Sequence, residues 1–110
     1  MKSLDKGEKD RIKFRYAAGL YKALKNGPWK SFRKLAKEAG MEPAHIQKIS
    51  VGKLDVSLTT NISIATALKI SYSELSAFYD GVTEQDITDY KNYLEAQKSL
   101  RGKEKIKSKK

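Results

Sequence analysis

The sequence predicts an all-α fold. Apolar residues recur at three- and four-residue spacing along most of the chain, and no stretch of useful length alternates apolar with polar residues. Glycine, proline and capping residues fall where that spacing breaks. The chain has 110 residues and no internal repeat, which leads us to expect one domain with a tail.

Residues 1–10 are charged and nearly devoid of apolar side chains, and read as an N-terminal arm. In Arg11–Lys25 the residues Ala17, Leu20, Tyr21 and Leu24 sit at i, i+3, i+4 and i+7, one stripe of a first helix. Asn26-Gly27-Pro28 stops it, because glycine suits the exit and proline forbids continuation. Trp29 is placed to plug the gap between helices. Ser31 is a good N-cap for a second helix, Phe32–Ala39, with Phe32, Leu35, Ala36 and Ala39 on one face. Gly40 ends it. Pro43 belongs in a first turn, so a third helix runs from about Pro43 to Val51 with Ile46 and Ile49 inward, and Gly52 closes it.

Ser57 can cap a fourth helix, Leu58–Lys69, with Leu58, Ile62, Ala65 and Leu68 on its apolar side. Ser73 can cap a fifth, Glu74–Tyr79. Asp80-Gly81 breaks the chain. Thr83-Glu84-Gln85-Asp86 then resembles a capping arrangement for a sixth helix, about Glu84–Leu100, striped by Ile87, Tyr90 and Leu94. Residues 101–110 are lysine-rich and almost free of apolar side chains, the composition of a disordered basic tail.

Composition excludes several function classes. No run of apolar residues approaches the length of a membrane span, and the amino terminus lacks the apolar core of a secretory signal. There is no cysteine and one histidine, His45, so thiolate chemistry and Cys- or His-rich metal sites are not expected. No nucleophile–base arrangement with a supporting motif and no glycine-rich phosphate loop is present; Asp86 and Asp89 read as a solvated face. The reading is therefore of a non-enzyme with no cofactor and no metal.

Charge is more informative. The chain carries 23 basic and 13 acidic residues, a formal net charge of +10. Residues 1–30 contribute +6, 31–70 +3, 71–97 −5 and 98–110 +6. An acidic block between basic ones points to a polyanion-facing part within residues 1–70, with the tail either a solvated end or an electrostatic tether. Lysines that only keep the protein soluble are the plainer alternative.

The most telling stretch is a short helix, a glycine turn and a second helix: Leu35-Ala36, Gly40-Met41, Ile46, Ile49. Ala36 lets the two helices approach closely, Gly40 makes the turn, and Met41, Ile46 and Ile49 pin the second helix while its other face stays outward. That is a helix-turn-helix, whose second helix can enter a major groove.

Here the sequence resembles a known family. Ser31-Phe32-Arg33-Lys34-Leu35-Ala36-Lys37-Glu38-Ala39-Gly40-Met41, Ile46-Gln47-Lys48-Ile49-Ser50-Val51-Gly52-Lys53, Ser57-Leu58-Thr59-Thr60 and Ile64-Ala65-Thr66-Ala67-Leu68-Lys69-Ile70 resemble the XRE or Cro/CI-repressor-type helix-turn-helix domain, across about residues 11–79. The resemblance implies a five-helix, lambda-repressor-like domain, here followed by an extra C-terminal helix at 80–100. The chain departs from the family pattern at three residues, and its hinge from Gly27 to Lys30 is slightly longer than usual. Phe32 stands where the family often has Gln, Ser50 where it often has Glu paired with an Arg in the first helix, and Asn61 where it tends to have Leu.

By position, the resemblance implies that Ala44, His45, Gln47 and Lys48 read bases, with Pro43 shaping the helix start. Ala44 would touch a thymine methyl, Gln47 would pair with adenine and Lys48 would donate to guanine. His45 is as well explained by a solvent-exposed or capping role. Phosphate contacts would come from Arg33, Lys34, Lys53, Thr59 and Thr60. The function implied is a cytoplasmic, sequence-specific transcriptional regulator of double-stranded DNA, expected to act as a homodimer. The segment 80–100 is a candidate either for dimerisation or for packing across the domain. A protein-interaction adaptor or antitoxin-like module on the same fold is the alternative.

Overall fold

The computed structural model describes residues 3–108, with side chains described from residue 3 to residue 100. Six helices follow one another: α1 (Lys6–Asn26), α2 (Phe32–Ala39), α3 (Pro43–Ser50), α4 (Leu58–Ala67), α5 (Tyr72–Asp80) and α6 (Glu84–Ser108). No strand occurs among the described residues.

The helix ends follow local chemistry. α1 starts five residues before the expected Arg11, so the second half of the expected arm is helical. The reason is a capping box: Asp5 Oδ1 accepts from Glu8 N–H at 2.8 Å while Glu8 Oε1 accepts from Asp5 N–H at 3.3 Å. α2 has the expected bounds, capped by Ser31 Oγ on Lys34 N–H at 3.1 Å and closed by Gly40 at φ 70°. α4 ends at Ala67, two residues early, because Lys69 turns left-handed at φ 63° and Ile70 N–H bonds back to Ala65 O. α5 is capped by Ser71 rather than Ser73, through a reciprocal box with Glu74. Thr83 and Asp86 form the same reciprocal pair at the start of α6. α6 is helical through Ser108, past the expected end at Leu100. The disordered tail expected at 101–110 lies outside the described side chains.

The main core gathers Leu20, Leu24, Leu35, Ile46, Ile49, Ile64, Leu68 and Leu75 from five helices. Leu20, Leu35, Ile46, Ile49 and Ile64 are fully enclosed, each stabilising the fold by about 1.5–3 kcal/mol. Trp29 fills the gap after α1 as expected, and its indole N–H donates to Ala67 O at 2.7 Å. The expected stripe of α4 holds at Ala65 and Leu68, which are buried, but not at Leu58 and Ile62, which are 60% and 48% exposed; Asn61 and Ile64 face the core instead.

Asn61 is tolerated inside because every polar atom of its side chain is engaged. Its Oδ1 accepts from the Tyr16 hydroxyl at 2.7 Å, and its Nδ2 donates to Val56 O at 3.3 Å and Ser57 O at 3.0 Å. No buried side-chain nitrogen or oxygen lacks a partner among the described residues.

A second core joins α1 to α6. Ala17, Ala18, Val82 and Tyr90 are buried there, with Phe14, Tyr21, Ile87 and Leu94 packed against them. Tyr21 meets Tyr90 and Tyr93 at centroid distances of 5.0 and 4.8 Å, within the range where ring pairs attract. Lys22 Nζ reaches Asp86 Oδ2 at 2.9 Å across the same seam. The stripe of Ile87, Tyr90 and Leu94 therefore packs within the chain, the second of the two roles the sequence left open for 80–100.

Candidate nucleic-acid interface

The α2–turn–α3 unit is built from three local decisions. Ser31 starts α2. Gly40 takes the left-handed backbone that lets Met41 N–H return to Ala36 O at 2.8 Å. Pro43 opens α3, whose N-cap, Glu42, makes no side-chain cap bond. α3 ends at Ser50, one residue before the expected Val51, which is its C-cap, and Gly52 at φ 78° allows Lys53 N–H to bond Lys48 O at 3.0 Å. A Cβ on Gly52 would also lie 3.1 Å from Phe14 Cα, so this glycine lets α1 and the end of α3 touch.

With Ile46, Ile49 and Ser50 buried, the opposite flank of α3 is left to solvent. Ala44, His45, Gln47 and Lys48 are all exposed there. Between Glu42 and Asp55 the chain has no acidic residue, while Lys48 and Lys53 are cationic. The flank is thus open and locally positive.

The named residues do not form one cluster. Gln47, Lys48 and Lys53 line a single groove between α3 and α6, opposite Glu95, Gln97 and Lys98. Ala44 and His45 lie one turn earlier on α3, outside that groove. Arg33 is exposed in the first turn of α2. Lys34 is partly occupied: its ammonium pairs with Glu38 Oε1 at 3.1 Å and lies 5.3 Å from the centre of the Trp29 ring. At the start of α4, the hydroxyls of Thr59 and Thr60 sit 3.2 and 3.0 Å from Ser57 Oγ, so both belong to the cap.

Ser50, a departure from the pattern of the family the sequence resembles, has a structural explanation. Ser50 is buried; its hydroxyl donates to Gln47 O at 2.7 Å and its carbonyl accepts from the buried Tyr90 hydroxyl, so no ionic partner in α1 is needed. Burial of the Tyr90 hydroxyl pushes its pKa well above the ordinary value, which keeps it a donor. Arg15 serves another purpose, donating to Tyr79 O and Asp80 O at 3.0 and 2.9 Å where α5 ends.

Sequence reasoning missed the α6 wall of the groove. Nothing local relates Gln97 and Lys98 to Gln47 and Lys48; the Tyr90–Ser50 bond brings them together. It also missed that Lys6 and Lys9 are helical, although Asp5-x-x-Glu8 carried that signal. Among the described residues no group of three or more His, Asp or Glu is placed to hold a metal ion, and no helix is long and apolar enough to cross a membrane. No protein-family model and no curated protein matches the sequence.

Proposed function

We propose that the protein is a sequence-specific, double-stranded DNA-binding transcriptional regulator of the Cro/CI-repressor type, with a lambda-repressor-like arrangement of α1–α5 and α3 as the reading helix. The observation that carries this reading is the outer flank of α3. Ala44, His45, Gln47 and Lys48 are exposed on a helix whose inner flank is locked by Ile46 and Ile49, within a stretch that holds no acid. Gln47 and Lys48 have the donor and acceptor patterns that adenine and guanine edges complement. Arg33, Lys53 and the α4 cap supply phosphate contacts, and Lys34 contributes less because Glu38 holds it. Two copies on half-sites one helical turn apart would give the usual footprint. With Ile87, Tyr90 and Leu94 packed against α1, the copies would meet elsewhere.

Titration with duplex DNA over a range of salt concentrations tests this. Affinity should fall steeply with salt, by about 0.9 in log–log slope for each neutralised phosphate, and one sequence should be preferred over random duplex. No binding at low salt, or a flat response, would refute it. One observation favours the adaptor alternative: two large apolar side chains, Leu58 and Ile62, stand exposed on α4. Under that alternative Leu58→Ser with Ile62→Ser abolishes capture of a protein partner; under the regulator reading the same pair leaves duplex affinity nearly unchanged.

A further inference from the structure

We infer that the first turns of α1 form a second phosphate-binding surface, a lysine rail that follows the backbone of duplex DNA beside the α3 contact. This rests on the reading of α3 as the DNA-facing helix. Lys6, Lys9 and Lys13 line one groove together with Gly52 and Lys53. Lys53 also lines the groove that holds Gln47 and Lys48, so it is the junction between the two surfaces.

The lysines fall at i, i+3 and i+7, one face of the helix. The Asp5–Glu8 capping box makes this possible, because it converts half of an apparent arm into helix and holds the three side chains in register. The closeness of Gly52 to Phe14 then sets that face beside the end of α3.

The shape of the rail selects its ligand. From Lys6 to Lys13 is seven residues, roughly 10 Å along the axis at ~1.5 Å per residue. One DNA strand advances ~3.4 Å per phosphate along the duplex axis, and its successive phosphates stand roughly twice that far apart along the strand itself, so the rail spans two or three of them. A single compact phosphate would engage only one or two of these ammonium groups. A linear, repeating polyanion engages all of them. One acid shares the groove: Asp10 lies 3.3 Å from Lys6 and 4.0 Å from Lys13. Even so the groove holds four lysines against one carboxylate. The Lys6 side chain is 92% exposed, free to leave Asp10 for a phosphate.

The test uses the full-length chain and its Lys6→Gln/Lys9→Gln/Lys13→Gln variant, with helicity checked by circular dichroism. Duplex affinity is measured over a range of salt concentrations, and phosphate contacts are mapped by ethylation interference. The slope of log affinity against log salt should become shallower by about 2–3 for each bound copy, at ~0.9 per phosphate, with the ranking of preferred sequences unchanged. Interference should disappear at one flank of each half-site only. Asp10→Asn, which leaves every lysine in place, should steepen the slope. If the parent binds duplex with a steep salt response and the triple variant keeps that slope, the rail is overturned while the α3 reading stands. An unchanged slope for Asp10→Asn, or loss of sequence preference together with slope in the triple variant, also overturns it. A parent protein that fails to bind duplex overturns both.

Discussion

Asn61→Leu is the perturbation whose cost follows most directly from the structure. The substitution keeps volume close to that of the parent side chain, so it removes hydrogen bonds without opening a large cavity. Ser57 O still receives the Asn61 backbone N–H at 2.9 Å, but the Tyr16 hydroxyl and Val56 O lose their partner. A buried polar group left unpaired costs about 1–3 kcal/mol; these two are only partly buried, so each falls toward the low end and the expected loss is roughly 2–3 kcal/mol together. For a domain of this size that is a fall in Tm of roughly 10–20 °C. Tyr16→Phe alone should cost about 1 kcal/mol. In the double variant one unpaired hydroxyl has gone, so its loss should be smaller than the two single losses together by about 1 kcal/mol or more. Urea unfolding followed by circular dichroism, with unchanged m-values, measures all three. Amide exchange at residues 57–60 should quicken in Asn61→Leu, because the amide group steadies the backbone that caps α4. Additive losses, or an Asn61→Leu protein as stable as its parent, would refute this account of the buried amide.

The two left-handed glycines should differ. Gly40→Ala meets no atom within 4 Å and should cost about 1–2 kcal/mol from backbone conformation alone, whereas Gly52→Ala must also displace the Phe14 backbone and should cost more, roughly 2–4 kcal/mol by chemical denaturation. The Asp86 carboxyl is held down to about 2, first by the Thr83 backbone N–H and then by the Lys22 ammonium. A depressed carboxylate stabilises the fold above its unfolded pKa and loses that contribution as pH falls through the folded one. Tm should therefore decline between about pH 4 and pH 2, less so in Asp86→Asn; equal profiles for the two proteins would count against it. On duplex DNA, Lys48→Ala should change base preference while Lys53→Ala weakens every sequence nearly equally, as binding selections on randomised duplexes would reveal. A uniform loss for Lys48→Ala would mean that α3 does not read bases.

Periodicity and punctuation were enough for the all-α class, the bounds of α2 and the inward residues of α3. These depend on interactions within a few residues: Ser31 on Lys34, Gly40 in its turn, Pro43 at a first position. The start of α1 is equally local, set by the Asp5-x-x-Glu8 box, but the residues around that box carry too little apolar content for periodicity to mark a helix there. The phase of α4 was not local. Leu58 and Ile62 form a plausible stripe, and Asn61 faces inward because Tyr16, far away in sequence, completes its hydrogen bonding.

For the candidate interface, the chain alone supplied the exposed side chains of α3 and their charge, since a helix with two buried isoleucines has one face left over. It did not supply their neighbours. Glu95, Gln97 and Lys98 stand opposite Lys48 because Tyr90 reaches Ser50, and Lys13 stands beside Lys53 because Gly52 admits Phe14. Helix formation is settled within a few turns by spacing and caps. Which helical faces share a surface is settled by packing between residues far apart in the chain, and that only the tertiary structure decided.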